Sequence, residues 1–361
     1  MKITDIRTYT PLNASLFVRV FTDEGTSGIG ECSPMNPQVT AYFIEKTLKP
    51  LLMGQDPIEI EKLWNKMFFS TYKQGVQGIQ PEAISGVDIA LWDILGKKTG
   101  LSVCTLLGGA FRDRVQHYAS ISGGGTMSID QMVELAGRRI DEGFKAIKVK
   151  MNWYVRKQDI NPKKDLEMTI QVKSTLNKDV LVCFDANNGY SVPTAIQMGR
   201  KFDEIGIYHF EEPVAQYDYN GIKKVCDAID TPVAAGEQEY TPWQFKDLMT
   251  IADVDIIQPD VIKVGGITSW KKIGVLSEIY NKMIVTHQTQ PTVGAIANVH
   301  VCSSIQSCTR PQEYMPGKIY LEDLFLDLPK LKDGYIKVPA KPGLGITVHE
   351  ENFEDIEFRP G

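Results

Sequence analysis

The feature that most constrains the fold is a repeat of short apolar runs, each of which ends in an ionisable residue. Seven such runs follow one another at residues 146–150, 180–185, 207–211, 233–237, 256–260, 283–287 and 308–313. Their last residues are 35, 26, 26, 23, 27 and 26 positions apart. A period of about 26 residues accommodates one β-strand and one crossover helix, so the repeat predicts a βα array.

An eighth run, at residues 116–120, precedes the seven. Eight parallel strands with helices between them close into a (β/α)₈ barrel of about 200–250 residues. The alternative is a doubly wound open sheet, which usually carries a GxGxxG loop after its first strand. The three glycines at positions 123–125 lack that spacing. We therefore predict an α/β fold in which residues 116–320 form a modified (β/α)₈ TIM barrel.

The segments on either side of the array predict a smaller second unit. Residues 3–9, 16–21 and 27–32 have the pattern of an antiparallel meander, and residues 82–96 carry an apolar stripe at helical spacing. We expect residues 1–115 to form an α+β capping domain. Residues 321–361 contain four prolines and a turn at 332–334, and we expect them to return to the capping domain and complete it.

Composition excludes several classes of function. The 361 residues are 43% apolar and 23% charged, as in a soluble globular protein. A net charge of −6 without a basic run argues against a nucleic-acid partner, and no stretch approaches the roughly 18 apolar residues of a membrane helix. The N-terminus has no signal-peptide block and the six cysteines form no CxxC pair. We therefore expect a cytoplasmic protein with reduced cysteines and no zinc site.

The last residue of every one of the seven runs is ionisable. In a barrel, the C-terminal ends of the strands build the active site, so these side chains should converge at the barrel mouth. They are Lys150, Asp185, Glu211, Glu237, Asp260, His287 and Glu313.

Three of these residues, Asp185, Glu211 and Glu237, end consecutive strands. Three converging carboxylates repel one another unless a cation lies among them. Oxygen ligands without histidine or thiolate favour a hard ion, and a site completed by water and substrate suits Mg²⁺. The alternative is a set of unrelated exposed acids.

Lys148 and Lys150 lie two positions apart on one predicted strand, so their side chains point to the same face. A neighbouring like charge lowers the pKa of a lysine towards neutrality, which would make Lys150 a base. The alternative is a solvated strand end.

Asp260 and His287 end neighbouring strands. A carboxylate bonded to one imidazole nitrogen fixes the tautomer and raises the basicity of the other nitrogen. Lys263 either supports the site or is a surface residue. The remaining histidines are interpreted as core or surface groups: His117, His209, His300 and His349.

Taken together, these residues resemble the enolase superfamily and, within it, the mandelate racemase subgroup. The resemblance covers essentially the whole chain, with a capping domain, a modified barrel and a C-terminal return. The matching motifs are Lys148-Val-Lys150, Asp185-Ala-Asn187, Glu211-Glu-Pro213, Gly236-Glu237, the Asp260/His287 pair and Glu313.

The resemblance implies a role for each of these positions. Mg²⁺ would be bound by Asp185, Glu211 and Glu237. Lys150 and His287 would be the two acid/base groups on opposite faces of the substrate. Lys148 would tune Lys150 and hold the substrate carboxylate, while Glu313, in its protonated form, would donate a hydrogen bond to that carboxylate.

The reaction that the resemblance implies begins with removal of a proton α to a carboxylate, with Mg²⁺ and the lysines stabilising the enediolate. Loss of a β-hydroxyl then gives a 2-keto-3-deoxy acid. Asn187 stands where the resemblance implies a neutral hydrogen-bond partner for a substrate hydroxyl, whereas dehydratases of the galactonate type carry histidine there. We predict a dehydratase of a C5 or C6 aldonic or aldaric acid. The alternatives are a racemase or epimerase of an α-hydroxy acid, and a non-catalytic sugar-acid binding protein.

Two loops of the capping domain, at residues 10–15 and 32–38, are expected to cover the barrel mouth and contact the distal end of the substrate. The first has Asn13, Ala14 and Ser15 near its tip, which favours a polyol over an aromatic ring. The predicted partner is therefore a small-molecule sugar acid, and we expect a homo-oligomer.

Overall fold

A computed structural model describes residues 1–11, 15–151, 157–316, 319–354 and 356–358. Eight strands form one parallel sheet in the order β10-β9-β8-β7-β6-β5-β4-β11. They are β4 (Arg114–Ile121), β5 (Ala146–Lys150), β6 (Leu181–Asp185), β7 (Phe210–Glu211), β8 (Val233–Ala235), β9 (Ile256–Ile257), β10 (Met283–Ile284) and β11 (Gln312–Tyr314). Backbone hydrogen bonds also join the two ends of the sheet, since Glu313 N donates to Thr286 O at 3.4 Å.

A helix follows each of the first seven barrel strands. The helices are α6 (Ile129–Asp141), α7 (Pro162–Thr175), α8 (Val192–Ile205), α9 (Tyr219–Cys226), α10 (Pro242–Asp247), α11 (Gly266–Ile279) and α12 (Val293–Ser303). Local sequence sets several of their first residues: Ser128 and Gln131 form a reciprocal capping box at the start of α6. The predicted (β/α)₈ barrel is confirmed.

Several barrel strands are shorter than the sequence predicts. The apolar runs that end at Glu237, Asp260 and His287 leave the ladder two or three residues before their last residue. Gly236, with φ of +134°, turns the chain out of β8, and Asp260 O accepts from the amide of Lys263 at 2.9 Å in a turn. The predicted strand at 308–313 begins only at Gln312, because the preceding residue is a proline and has no N–H to donate.

The capping domain consists of an antiparallel three-stranded sheet and a set of helices, as predicted. The strands are β1 (Ile3–Tyr9), β2 (Leu16–Thr22) and β3 (Ser27–Cys32). The helices are α1 (Pro37–Phe43), which continues as a π-helix (Ile44–Leu48) into α2 (Lys49–Leu52), α3 (Ile60–Thr71), α4 (Ile79–Thr99) and α5 (Val103–Leu106).

Helix α4, predicted at 82–96, lies between β3 on one side and the barrel helix α11 on another. Its approach to β3 requires glycine: a Cβ on Gly30 would lie 1.9 Å from the carbonyl oxygen of Gly86. Because both faces are covered, most of the helix is buried. The capping domain therefore contacts the barrel through the buried helix α4, which packs on α11, the helix that follows Asp260.

The C-terminal segment divides between the two units. Strand β12 (Tyr335–Lys337) pairs antiparallel with β4 of the barrel, which the sequence did not predict. The short helix α13 (Glu350–Glu354) returns to the capping domain as expected. There the ring of Phe353 packs edge-on against Tyr9, with centroids 5.2 Å apart, and Glu350 forms an ion pair with Arg19.

Two further expectations concern the chain as a whole. All six cysteines are free, and five of them are buried. Within the described ranges, no helix has the length and apolar character needed to cross a membrane.

Candidate active site

All nine residues predicted for the site meet at the C-terminal ends of the barrel strands. Each has an atom within 4.0 Å of another member of the set. Every one is buried apart from Lys150, whose side chain is 14% exposed. They are Lys148, Lys150, Asp185, Asn187, Glu211, Glu237, Asp260, His287 and Glu313.

The three carboxylates Asp185, Glu211 and Glu237 form a compact group. Asp185 and Glu211 are paired across β6 and β7, and one oxygen of each of the three lies within 4.8 Å of the others. Among the described residues, Asp185 Oδ2, Glu211 Oε2 and Glu237 Oε2 have no hydrogen-bond donor. Buried carboxylate oxygens with free lone pairs are the donor set of a hard divalent cation, so these residues fit Mg²⁺.

The pKa values of Glu211 and Glu237 are shifted in opposite directions. Burial, stronger than the opposing effect of Lys148, raises the pKa of Glu211 to about 8. Burial also raises the pKa of Glu237, but the charges of His287 and Lys150 outweigh it and the net pKa is lowered. Three acids so close cannot all ionise freely without compensating positive charge.

Lys148 is fully buried and lies among carboxylates. Its Nζ donates to Glu211 Oε1 at 2.7 Å, and lies 2.8 Å from Glu313 Oε1 and 3.5 Å from Asp185 Oδ2. Lys150, two residues further along β5, lies 3.3 Å from Asp185 Oδ2 and 3.7 Å from Glu237 Oε2. Both lysines thus point into the barrel mouth, as the strand alternation predicts.

The predicted lowering of the lysine pKa is wrong for this arrangement. Burial lowers the pKa of Lys148, but Glu211 and Glu313 outweigh burial and raise it well above its ordinary value. Burial likewise lowers the pKa of Lys150, and the neighbouring carboxylates again raise it, with the repulsion from Lys148 a smaller effect. Sequence reasoning considered the like charge and neglected the nearer opposite charges.

Asp260 and His287 form the predicted pair. His287 Nδ1 lies 2.7 Å from Asp260 Oδ2, and the other ring nitrogen, Nε2, lies 3.3 Å from Glu237 Oε2. Burial lowers the pKa of His287, but Glu237 and the hydrogen bond to Asp260 outweigh it and raise the pKa above its ordinary value. The pair therefore presents Nε2 towards the carboxylate group.

Glu313 departs from its predicted protonation state. Its Oε2 accepts from the amide of Gln288 at 3.0 Å. Burial raises its pKa, but the charges of Lys148 and His287 outweigh burial and lower the pKa to about 2. The ion pair with Lys148, whose Nζ lies 2.8 Å from Glu313 Oε1, therefore favours the ionised form of Glu313 over the protonated donor that was predicted.

Asn187 lies where the chain turns after β6. Its backbone N–H donates to Asp185 Oδ1 at 2.7 Å, and its side-chain Nδ2 donates to the backbone carbonyl of Met151 at 3.2 Å. Its φ of +53° is uncommon for a residue with a side chain and is tolerated best by asparagine. Its Oδ1 has no donor within the described part of the chain, so this oxygen is free to accept from a ligand.

Sequence reasoning left Lys263 undecided and did not single out Glu212. Lys263 is buried and its Nζ donates to the backbone carbonyl of Glu237, so it supports the loop that carries a triad carboxylate. Glu212 is also buried and accepts from Asn188 Nδ2 at 2.8 Å. Its place directly after a strand-end acid was the available signal.

The remaining histidines fit the interpretation as core or surface groups. His117, His209 and His300 are buried, and burial lowers the pKa of each of the three. His209 Nε2 lies 3.7 Å from Glu211 Oε2, so this histidine, two residues before Glu211 in the chain, lies next to the carboxylate triad.

The two loops expected to cover the mouth are described only in part, since residues 12–14, with the tip residues Asn13 and Ala14, lie outside the described residues. Ser15 Oγ donates to Gln290 Oε1 at 3.1 Å, on the segment after His287. The amide of Ser33 donates to Ile262 O at 3.2 Å, on the segment after Asp260. Both capping-domain loops therefore contact the segments that follow the pair.

Two family models match the chain. Residues 7–108 match the N-terminal domain of the mandelate racemase / muconate lactonizing enzyme family. Residues 131–352 match the enolase C-terminal domain-like family.

Similar proteins cover nearly the whole chain. An arabinonate dehydratase from Saccharolobus solfataricus is 35% identical over 351 residues, which are 94% of this chain and 89% of that protein. A D-galactarolactone cycloisomerase from Agrobacterium fabrum is 31% identical, over 99% of both chains. A mandelate racemase/muconate lactonizing protein from Paracoccus denitrificans, solved in complex with magnesium, is 34% identical with a TM-score of 0.95, over 99% of this chain and 98% of that chain.

Proposed function

Because the chain belongs to the enolase superfamily and, within it, to the mandelate racemase subgroup, we propose that it is a Mg²⁺-dependent acid-sugar dehydratase. It would be a hydro-lyase that removes the proton α to a carboxylate and eliminates the β-hydroxyl, giving a 2-keto-3-deoxy acid. The observation that carries the proposal is the position of two side chains with ionisable nitrogen atoms, which approach the triad from either side. Lys150 and His287 approach the same oxygen of Glu237, at 3.7 Å and 3.3 Å, from β5 and from the end of β10.

Asp185, Glu211 and Glu237 are the proposed Mg²⁺ ligands, because each has a buried oxygen that accepts no hydrogen bond from the residues the structure describes. The bound ion would polarise the substrate carboxylate and stabilise the charge that develops on it when the α-proton leaves. The magnesium complex of the Paracoccus relative supports this choice of ion.

Lys150 and His287 are the proposed acid/base groups. Lys150 ends β5 and His287 follows β10, and these strands are separated by β4 and β11 on one side of the barrel. The two side chains would therefore reach a substrate at the mouth from different directions. One removes the α-proton, and the other protonates the departing β-hydroxyl so that it leaves as water. Asp260 keeps Nδ1 of His287 in a hydrogen bond and so leaves Nε2 to exchange the proton.

The remaining side chains are proposed to bind the substrate. Lys148 supplies a fixed positive charge beside the triad, which favours a carboxylate ligand and the enediolate formed from it. Glu313 forms an ion pair with Lys148 and accepts from the amide of Gln288, so it would orient Lys148 and the segment after His287. Asn187 Oδ1, which has no donor among the described residues, would accept from a substrate hydroxyl.

The substrate we propose is a C5 or C6 aldonic or aldaric acid. The arabinonate dehydratase at 35% identity supports an acid-sugar dehydratase. Three other outcomes remain alternatives: a racemase or epimerase of an α-hydroxy acid, a cycloisomerase like the Agrobacterium relative, and a non-catalytic sugar-acid binding protein. A racemase or epimerase would begin with the same proton removal as the dehydratase.

A substrate panel separates these functions. The protein with Mg²⁺ is incubated with C5 and C6 aldonates, aldarates and the corresponding lactones, and 2-keto acid is trapped with semicarbazide. Formation of a 2-keto-3-deoxy acid is the expected result, and Lys150→Met and His287→Asn should each abolish it. Exchange of the α-proton in D₂O without 2-keto acid would replace the dehydratase with an epimerase. Ring opening of a lactone would favour a cycloisomerase, and binding without any reaction a binding protein.

We also propose the division into residues 1–115, 116–320 and 321–361, a homo-oligomeric assembly and a cytoplasmic location. The free, buried cysteines support a reducing compartment. Light scattering after size exclusion measures the subunit number directly.

A further inference from the structure

Four barrel helices, α7, α8, α11 and α12, begin at a residue whose side chain makes no capping hydrogen bond. At two of them, α11 and α12, a side chain of the capping domain accepts from the first amide groups. Helix α12 follows the segment of His287 and helix α11 follows the segment of Asp260. The residues that precede the two helices, Thr292 and Gly265, make no capping hydrogen bond through a side chain. The first amide groups of a helix need acceptors from elsewhere, and in both helices the capping domain supplies them.

The acceptor at the start of α12 is Glu31, on β3 of the capping domain. Glu31 is fully buried. Its Oε2 accepts from Thr292 Oγ1 at 2.9 Å and from the amide of Gly294 at 2.8 Å. A carboxyl group at a helix N-terminus interacts favourably with the helix dipole, so this contact fixes the first turn of α12 to the capping domain.

The chain between His287 and α12 is itself held at several points. The amide of Gln288 donates to Glu313 Oε2 at 3.0 Å, and Gln290 Oε1 accepts from Ser15 Oγ at 3.1 Å. Gln288 and Gln290 are buried. Residues 288–292 belong to no helix or strand, so these contacts fix the course of the chain after His287. Before His287 the chain is held by the barrel, where Val285 N donates to Ile257 O at 3.1 Å and Thr286 N donates to Gln312 Oε1 at 2.7 Å.

The start of α11 repeats the arrangement. Ser85 Oγ, on α4 of the capping domain, accepts from the amides of Gly265 and Gly266 at 2.9 Å and 3.0 Å. One helical turn further along α4, Asp88 Oδ2 accepts from the amide of Thr268 at 2.9 Å. The capping domain thus caps both helices that follow the Asp260/His287 pair.

We propose that Glu31 is a positioning residue for His287: by capping α12 across the domain interface, it holds the 287–294 segment in the register that brings the imidazole to Asp260. The acid/base role of His287 rests on the proposed function, whereas its position does not. The capping domain therefore contributes to the chemistry through the placement of the pair as well as through its loops.

The test uses the side-chain ¹⁵N resonances of the Mg²⁺-loaded protein labelled at its five histidines, with the His287 signals identified by their loss in His287→Asn. In Glu31→Ala, we expect the hydrogen-bonded Nδ1–H signal of His287 to shift or to broaden beyond detection. Glu31→Gln keeps an oxygen acceptor of the same shape and should restore the signal. Thr292→Val, which removes one donor with little change in volume, should shift it in the same direction by a smaller amount.

Asp93→Ala is the matched control. Asp93 is equally buried and, like Glu31, accepts two hydrogen bonds across the fold. Its donors are the backbone amides of Ile29 and Leu344, and neither belongs to a segment of the pair. This variant should lose stability with an unchanged His287 spectrum. If Glu31→Ala leaves the spectrum unchanged, or if Asp93→Ala alters it equally, the proposal is overturned. If Glu31→Ala does not fold, Thr292→Val decides in the same way.

Kinetics provide a second readout. With a substrate from the panel, we expect Glu31→Ala to lower kcat by about 10- to 100-fold with little change in KM, and Glu31→Gln to recover most of it. An unchanged kcat would contradict the proposal. The spectrum is recorded without substrate, so a protein that turns over no sugar acid refutes the proposed function and leaves the test of Glu31 intact.

Discussion

Glu211 uses its two oxygens in different ways. Oε1 accepts from Lys148, and the other oxygen faces Asp185 and Glu237 and has no donor in the described part of the chain. Replacing Glu211 by Gln preserves the size of the side chain and an oxygen that can accept from Lys148, but removes the charge that binds a cation. We expect Glu211→Gln to weaken Mg²⁺ binding, measured by calorimetry, by more than about 100-fold, since even changes in residues that only orient a ligand cost roughly 10- to 100-fold. Activity should be lost together with the metal.

The control for Glu211→Gln is Glu239→Gln. Glu239 is buried, lies two residues after Glu237 and accepts from Tyr219 Oη at 2.7 Å, outside the triad. This variant should retain wild-type affinity for Mg²⁺. Retained activity and metal affinity in a folded Glu211→Gln protein would exclude Glu211 as a ligand.

At the level of residues, the sequence predicted which side chains meet and failed to predict their charge. The register of run ends identifies Asp185 and Glu211 because strand ends in a barrel converge, and this requires no knowledge of side-chain contacts. The protonation of Lys148 and Glu313 depends on distances of 2.7 to 2.8 Å between atoms of different strands. A sequence does not specify such distances, so the balance between burial and opposite charge could be read only from the structure.

Among the elements, helix α11 offers a test of pH dependence. Asp88 of α4 accepts from the amide of Thr268 at the N-terminus of α11 and is fully buried. Burial raises the pKa of Asp88 from 3.8 to about 7 despite the hydrogen bonds from Thr268. At pH values between 3.8 and about 7, Asp88 keeps its proton in the folded protein but has released it in the unfolded chain. The stabilisation from this group is therefore complete below pH 4 and is lost as the pH rises towards 7, by at most about 1.4 kcal/mol per pH unit.

Asp88→Asn removes this titration. We expect the free energy of unfolding of the wild type, relative to that of Asp88→Asn, to fall as the pH rises through the window up to 7 and then to level off. Denaturant titrations at several pH values between 5 and 8 measure it. Ser85→Ala removes the neighbouring cap without a titratable group and should cost about 0.5–2 kcal/mol at every pH. A difference for Asp88→Asn that is independent of pH would contradict the raised pKa.

The lengths of the barrel strands show where the apolar runs in the sequence stop predicting strand ends. The apolar runs predicted strands up to Glu237, Asp260 and His287, but apolar character marks burial and not hydrogen bonding in a ladder. At the barrel mouth the chain remains buried after the ladder ends, and Gly236 turns it away. No local sequence pattern predicts that Ser85 and Glu31 cap these helices, because donor and acceptor are more than 170 residues apart in the sequence.

For the whole molecule, the order of the units along the chain differs from their arrangement in space. The capping domain is built from both ends of the sequence: Thr10 N donates to Ile356 O at 3.1 Å and Phe358 N donates to Thr8 O at 2.8 Å. Strand β12 extends the barrel sheet before the chain reaches the capping domain. The prediction of a C-terminal return required only that an exposed surface was available, whereas the pairing of β12 involves three residues without a distinctive pattern.

Phe353 tests whether the last helix is part of the capping-domain core. Its ring lies 5.2 Å from Tyr9, 5.7 Å from Phe17 and 5.9 Å from Phe325, and is 1% exposed. Truncation of a buried phenylalanine costs about 3–5 kcal/mol, because the cavity is not refilled. We therefore expect Phe353→Ala to lower the free energy of unfolding by that amount in a denaturant titration.

The control is Leu326→Ala. Leu326 belongs to the same C-terminal segment and is 65% exposed, so this variant should change the free energy of unfolding by no more than about 0.5 kcal/mol.

The capping domain also holds the Asp260 and His287 segments through Glu31, Ser85 and Asp88. Loosening its core at Phe353 should therefore reduce activity at temperatures where the protein is still folded. A Phe353→Ala protein as stable as Leu326→Ala would show that the C-terminal helix rests on the surface of the capping domain and contributes nothing to its core.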